Sequence, residues 1–273
     1  MIMKLVTGSA TAPNSTLTAL TMYTDDSAQI LNPPNPGFIR LIKQWAKVRT
    51  AGNIRTRSPQ MGSDVQGLRF RVPINNVEPP TPYGFYQEMQ AQDVPTFEIS
   101  GSATASDIEI FSSLFLYQGY SGGQFVTPDF VESFKKSIQV HEQTISTGTT
   151  GGYSGSSAMT NGTYNLKADT YYAMMGYTVD VICGAVRWKG PDFGNYGLGG
   201  PGVVSPKSLG NRFWYDLSLE YGIGLVPIVK FENLAQTFLD VAQDEDGTDV
   251  TVSTILVELD PAVKGLIDAY KTL

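Results

Sequence analysis

The sequence is poor in the residue types that most enzymes use. It has one cysteine, Cys183, and one histidine, His141. A lone cysteine excludes an intrachain disulfide, so the chain is not a stapled extracellular scaffold. Charged residues make up only 16%, below the ~25% of an average chain. Long apolar runs are also missing. The most apolar stretch, Tyr171 to Val186, is broken by Asp180 and falls short of the ~20 clean residues of a membrane span. Met1–Leu5 holds Lys4 without an apolar run behind it. No secretion signal is therefore expected, and synthesis in a reducing cytoplasm is.

What is abundant is turn chemistry: 28 Gly and 16 Pro, with many Thr and Ser, in 273 residues. Low charge with many turns predicts short strands. Strand patterns lie at Leu17–Tyr23, Leu68–Val72, Phe97–Ile99, Ile108–Tyr117, Ser137–Ile145, Tyr171–Val186, Val226–Phe231 and Val250–Leu259. The Gly, Ser and Thr of Gly148–Ser157 read as a loop.

The chain also carries an internal repeat. Asn53–Gly62 and Ala185–Gly194 align at an offset of 132, pairing Ile54/Val186, Arg55/Arg187, Arg57/Lys189, Pro59/Pro191 and Gly62/Gly194. Phe85–Met89 compares with Trp214–Ser218. Phe97-Glu98-Ile99 and Asp107–Phe111 match Leu239-Asp240-Val241 and Asp249–Ser253 at an offset of 142. Loop insertions in a duplicated domain produce such a drift. The predicted domains are 1–123 and 124–273, divided near Tyr120-Ser121-Gly122-Gly123. Each can hold about eight short strands, which fits two tandem antiparallel β-sandwiches of jelly-roll type. Two immunoglobulin-like sandwiches are the competing architecture.

Few helices are expected. Thr127-Pro128-Asp129 combines a hydroxyl N-cap, a first-position proline and a first-turn acid; Phe130, Val131, Phe134 and Ile138 would share its apolar face. Asp260-Pro261 repeats the signal ahead of Val263, Leu266, Ile267 and Tyr270. Phe213, Trp214, Leu217 and Tyr221 fit one or two further turns. Phe38, Leu41, Ile42 and Trp45 after Pro33–Pro36 suggest a further helix with Arg40, Lys43 and Lys47 on its opposite side, either a small cap on the end of a sandwich or a basic surface helix.

Charge is unevenly spread. Between Arg40 and Arg71 lie Arg40, Lys43, Lys47, Arg49, Arg55, Arg57, Arg69 and Arg71 against a single acid, Asp64, while the whole chain carries −7. Either this window forms a positive face that meets nucleic acid, a membrane surface or the acidic face of a neighbouring copy, or it is an ordinary solvated face.

The familiar catalytic arrangements are not met. His141 sits in a strand-like run without a nucleophile motif, and Cys183 lies between Ile182 and Gly184 with no basic neighbour to activate it. Gly152-Tyr153-Ser154-Gly155-Ser156 fails as a nucleophile elbow at its fifth position. Gly197-Leu198-Gly199-Gly200-Pro201-Gly202 has dinucleotide-loop spacing, but Pro201 and Val203-Val204-Ser205-Pro206 cannot open the required helix. Asp244–Asp249 could wrap a hard cation or form a charged turn; the matching turn Gly101–Ser106 has no acid. No catalytic residue, metal site or cofactor is assigned, and a non-enzymatic protein is expected.

The duplicated pattern, chiefly Ile54–Gly62 and Val186–Gly194, resembles viral double jelly-roll major capsid proteins. The resemblance implies two rolls side by side and trimeric capsomers that close into a shell. It also implies other virion proteins as partners, and makes the Arg40–Arg71 window a candidate basic inner or inter-subunit surface that meets genome or an internal membrane. Tyr117, Tyr120 and Tyr153 are interface anchors by type. Two other uses fit a site-free sandwich. One is a capsid decoration or fibre protein. The other is a carbohydrate-binding or adhesin module, stacking sugar on Trp188 and Tyr196.

Overall fold

The computed structural model describes residues 1–23, 38–59, 61, 65–90, 93–119, 123–147, 151–160, 166–203, 209–245 and 247–270. The strands up to Tyr117 are β1 (Ile2–Thr11), β2 (Thr18–Ala19), β3 (Thr21–Met22), β4 (Ile39–Lys47), β5 (Gly52–Arg57), β6 (Leu68–Val72), β7 (Gln87–Met89), β8 (Thr96–Ser100) and β9 (Ile108–Tyr117). They build antiparallel sheets of order β3-β1-β9-β4-β7 and β2-β8-β5-β6. From Phe125 follow β10 (Phe125–Val126), β11 (Lys135–Ile145), β12 (Tyr153–Ala158), β13 (Tyr171–Val179), β14 (Cys183–Lys189), β15 (Leu198–Gly202), β16 (Val226–Lys230), β17 (Phe238–Ala242) and β18 (Val250–Leu259). Their sheets run β10-β16-β13-β18-β11 and β12-β17-β14-β15.

With the two-residue β3 and β10 set aside, each half has eight strands. Numbered along the chain, both halves read 1-8-3-6 in one sheet and 2-7-4-5 in the other. This is the order of a double-sheet jelly roll with its two Greek keys. The expected mainly β, tandem-sandwich architecture is therefore what the chain adopts. The repeat maps onto it. An offset of 132 carries β5 onto β14, and 142 carries β8 onto β17 and β9 onto β18. The last pair slips by one residue in its facing. Phe111 and Phe115 pack edge-on against Phe97 inside the first roll, whereas Val252 and Leu256 face the second roll's interior. The Phe85–Met89 match does not hold: that stretch includes the strand β7, but Trp214–Ser218 lies in helix α2 (Phe213–Tyr221). The counterpart of β7 is β16. Of the proposed divide, Tyr120–Gly122 lies outside the described residues, and Gly123 forms an isolated antiparallel bridge with Phe193.

The two rolls stack into four β-layers. The β3-β1-β9-β4-β7 sheet is buried on both faces. Ile2, Val6, Leu41, Phe111 and Phe115 point to the first roll's own second sheet. Met3, Leu5, Ile42, Trp45, Ile110 and Leu114 join one cluster with the second roll. The Trp45 indole N–H donates to the Gly184 carbonyl at 2.7 Å. Leu5 N–H donates to the Gly197 carbonyl at 2.6 Å. A Cβ on Gly199 would lie 2.6 Å from Leu5 Cδ2 and 2.2 Å from the Val186 carbonyl oxygen. The glycine run that mimics a dinucleotide loop is thus the strand β15, bare enough for another sheet to lie against it. Inside the second roll, Tyr177, Trp188, Phe213 and Trp214 fill the core with ring centroids 4.8 to 6.2 Å apart.

This layering explains several departures from expectation. Phe38–Trp45 is not a helix; Ile39–Lys47 is β4. A bulge between Leu41 and Lys43 and burial on both faces reproduce a helix-like spacing in a strand. Tyr171–Val186 is two strands, parted by a turn after Val179. Tyr153–Ser157, expected as loop, belongs to β12. β1 and β5 had no strand expectation at all.

The capping signals hold. Helix α1 (Pro128–Phe134) begins with Thr127 Oγ1 accepting from Phe130 N–H at 3.3 Å. Asp260 accepts from Ala262 N–H at 2.8 Å, starting a 3-10 turn at Pro261–Val263 that leads into α3 (Lys264–Tyr270). Val131, Val263 and Ile267 cover Tyr171, Ala173, Ile228 and Val257 on the outermost sheet. Ile138 does not share the α1 face; it lies on β11, 67% exposed. Leu266 is half-exposed as well. Among the described residues, no helix is long and apolar enough to cross a membrane.

Gly199→Ala should destabilise the protein by about 1–3 kcal/mol, the usual range for overpacking. Thermal unfolding measures it.

Candidate functional site

The eight basic residues separate into two groups of four. Arg40, Lys43, Lys47 and Arg49 lie on or just after β4, on the side of the second roll. Arg40 pairs with Glu88 at 3.2 Å and lies 4.7 Å over the Tyr86 ring. Lys43 reaches Glu220 of α2 at 2.6 Å. Lys47 donates to the Ile182 carbonyl at 2.8 Å, Gln243 Oε1 at 2.6 Å and Asp244 Oδ1 at 2.5 Å. Arg49 lies 2.6 Å from Asp244 Oδ2 and hydrogen-bonds Glu245. Lys43 and Lys47 are buried, so they cannot belong to the predicted basic surface. They fasten roll to roll. The same contacts engage Asp244 and Glu245 of the acidic turn. Among the described residues, no three ligand-type side chains converge as a metal site would require; Asp246 lies outside them.

Arg55, Arg57, Arg69 and Arg71 do share a face. They alternate along the paired strands β5 and β6 and point outward from the β2-β8-β5-β6 sheet. Alternate residues on a strand stand ~6.7 Å apart and neighbouring strands ~4.8 Å, so the guanidinium groups form a close two-row array. Glu98, opposite Arg55 on β8, is the carboxylate among them. Arg55 Nε reaches it at 2.5 Å and Arg57 Nε at 3.2 Å. Arg55 Nη1 also donates to the Val65 carbonyl at 2.9 Å. Burial alone would raise the Glu98 carboxyl, but hydrogen bonds and charge from Arg55 and Arg57 outweigh it and hold the group below its ordinary range. The bond to Glu98 likewise raises Arg55. Arg69 and Arg71 are exposed.

The second roll repeats this pair in a different setting. Arg187 and Asp240 occupy the positions of Arg55 and Glu98 and are likewise directly opposite. Their contact is bidentate, 2.8 and 2.7 Å. It is buried beneath the first roll, with the guanidinium carbon 3.4 Å from the Tyr153 ring centroid. On the next strand Arg187 faces Gly199, whereas Arg55 faces Arg69. Glycine admits a covering sheet; arginine at that position obstructs an equivalent docking. The first roll's arginine face is the end of the stack.

Sequence reading overlooked Glu98, Glu220 and the Arg187–Asp240 pair. The last had a signal: Arg55/Arg187 and Glu98/Asp240 both fall in register in the repeat. Other singled-out residues are structural. His141 Nε2 lies 2.7 Å from the Thr160 carbonyl, and burial lowers its pKa. Cys183 is buried, which pushes its thiol up to about 12. Ser154 is a buried β12 residue opposite Val241. Trp188 is fully buried, which removes it as a sugar platform, and Tyr196 packs against the first roll's core. Tyr117 is a core residue. Tyr153 donates to Thr7 Oγ1 at 2.7 Å and so anchors one roll to the other. Tyr120 is outside the described residues.

No protein-family model matches the chain, and no curated protein does. Among solved structures, the crystal structure of the PBSX exported protein XepA aligns with 93% of this chain and 86% of that one, at 8% identity and a TM-score of 0.27. A likeness at that level transfers neither fold nor use.

Asp244→Ala should cost about 3–5 kcal/mol by leaving Lys47 buried without its carboxylate, and a Lys47→Met/Asp244→Leu double variant should recover most of it. Urea unfolding distinguishes them. The depressed Glu98 pKa means that its stabilisation is present above the unfolded carboxyl value of about 4 and is lost as pH falls through the folded one. Melting temperature against pH should therefore fall less steeply in acid for Glu98→Gln.

Proposed function

We propose that the chain is a structural virion protein, a phage major capsid subunit that self-assembles through trimeric capsomers. The observation that carries this reading is the jelly-roll strand order, present twice and packed into one four-layer block. Jelly rolls serve viral capsids, lectins and cupins. The second roll's interior is packed with Tyr177, Trp188, Phe213 and Trp214, which supports a rigid building unit over a ligand chamber. The step from fold to use is one of analogy. On this reading the protein is not an enzyme and needs no cofactor; its partners are further copies of itself and other virion proteins.

The arginine face is the surface offered to genome or to lipid headgroups. Its paired rows present guanidinium groups suited to phosphate oxygens, and the contact is salt-sensitive.

Light scattering of the expressed chain, followed by negative-stain electron microscopy, tests the reading. Trimers with hexagonal outlines or closed shells are expected. Trimers that lack both favour a decoration protein, and a monomer at all concentrations, with scaffold, membrane and genome supplied, overturns both. Arg69→Glu/Arg71→Glu should leave the fold intact and reduce the salt slope of single-stranded DNA binding by about 1–2. An unchanged slope would remove the arginine face from the proposal.

A further inference from the structure

Glu98 engages half of the arginine face. Arg57 Nε and Nη2 donate to its two carboxylate oxygens at 3.2 and 3.3 Å, which uses the bidentate edge of that guanidinium. Arg55 Nε donates to Glu98 Oε2 at 2.5 Å, and Arg55 Nη1 to the Val65 carbonyl at 2.9 Å. Glu98 itself is buried at the foot of these side chains. The arginines of this face are therefore of two kinds. Arg69 and Arg71 stand exposed on β6, while Arg55 and Arg57 lie against a carboxylate. The second roll supplies the comparison. There Asp240 takes the bidentate edge of Arg187 at 2.8 and 2.7 Å beneath a covering sheet, where a large ligand cannot reach. Glu98 takes the edge of Arg57 on an open face, with 36% of the Arg57 side chain exposed. A phosphate can meet Arg57 there, but it must take that edge from Glu98.

We propose that Glu98 is a built-in competitor that sets how many phosphates the arginine face can hold. With Glu98 in place, Arg69 and Arg71 receive the ligand, and Arg55 and Arg57 are withheld from it. The inference rests on reading this face as a phosphate-binding surface, and it commits to single-stranded nucleic acid. The arginines form two rows along the paired strands β5 and β6. Such a linear array follows a chain of phosphates, whereas lipid headgroups present theirs as a plane. One carboxylate thus strengthens the sheet and weakens the hold on the ligand, so its loss moves stability and binding in opposite directions. A purely structural residue would move stability alone.

Fluorescence anisotropy with single-stranded DNA over a range of salt concentrations tests it, with circular dichroism to check that each variant is folded. Glu98→Gln should melt lower at neutral pH yet bind roughly tenfold more tightly at low salt, with a salt slope steeper by about 1, since a single strand gives ~0.7 per phosphate neutralised. Glu98→Asp, which keeps the charge on a shorter side chain, should fall between the two. Arg57→Gln should weaken binding more in the Glu98→Gln background than in the wild type. Glu132→Gln removes the same charge from an exposed pair with Lys135 at the other end of the stack, and should leave affinity and slope unchanged. Equal gains from Glu98→Gln and Glu132→Gln would reduce the effect to net charge and reject the competitor. Binding that Glu98→Gln leaves unchanged while Arg69→Glu/Arg71→Glu weakens it would reject the competitor and keep the phosphate-binding face. No binding by the wild type or by Glu98→Gln would reject the face and the competitor together. A gain on phosphatidylserine vesicles in place of DNA would overturn the choice of ligand.

Discussion

One sheet, β3-β1-β9-β4-β7, bears the packing of both rolls. A sheet with one covered face can alternate apolar and polar residues; a sheet covered on both sides cannot. This sheet therefore consists of near-continuous buried residues, with Leu114-Phe115-Leu116 at its centre. Polar groups that lie in it must be satisfied internally. The Trp45 indole finds the Gly184 carbonyl, Thr7 lies 3.0 Å from Ser112, and Lys47 gathers three acceptors. The resulting interface is a shared core rather than a loose interdomain contact.

Two rolls of the same strand order have diverged in what they expose. The Arg–carboxylate pair is kept at the same place in both, Arg55–Glu98 and Arg187–Asp240. What differs is the neighbouring strand. Glycines on β15 let the first roll lie against the second; arginines on β6 keep the corresponding face in water. Repeat arrays end in the same way, with a polar outer face on the terminal unit. At the other end, α1 and α3 cover part of the outer sheet and leave Ile138 and Val140 uncovered.

Much of the fold is legible in the residues. β6, β9 and β18 carry the bounds that their patterns predict, and the two N-cap signals start helical turns where expected. Alternation, turn residues and caps act over a few neighbours, so they survive without knowledge of the rest of the chain. The errors fall where a strand is covered on both sides. β4 looks helical because its two apolar faces and its bulge break the two-residue period. The basic window looks like a surface because sequence cannot show that Lys43 and Lys47 have partners 177 and 197 residues away.

The sequence by itself determined that the chain is β-rich, duplicated, and built of two domains with few helices. It also placed an Arg and an acid in register in both copies. Tertiary structure alone decided which sheet faces meet. That choice buried four of the chain's most conspicuous features: Lys47, Arg187, Trp188 and the glycines of β15. It left Arg69 and Arg71 in solvent. The physical reason is that burial depends on the surface laid across a strand from outside, and a local pattern records only how the strand divides its own two faces.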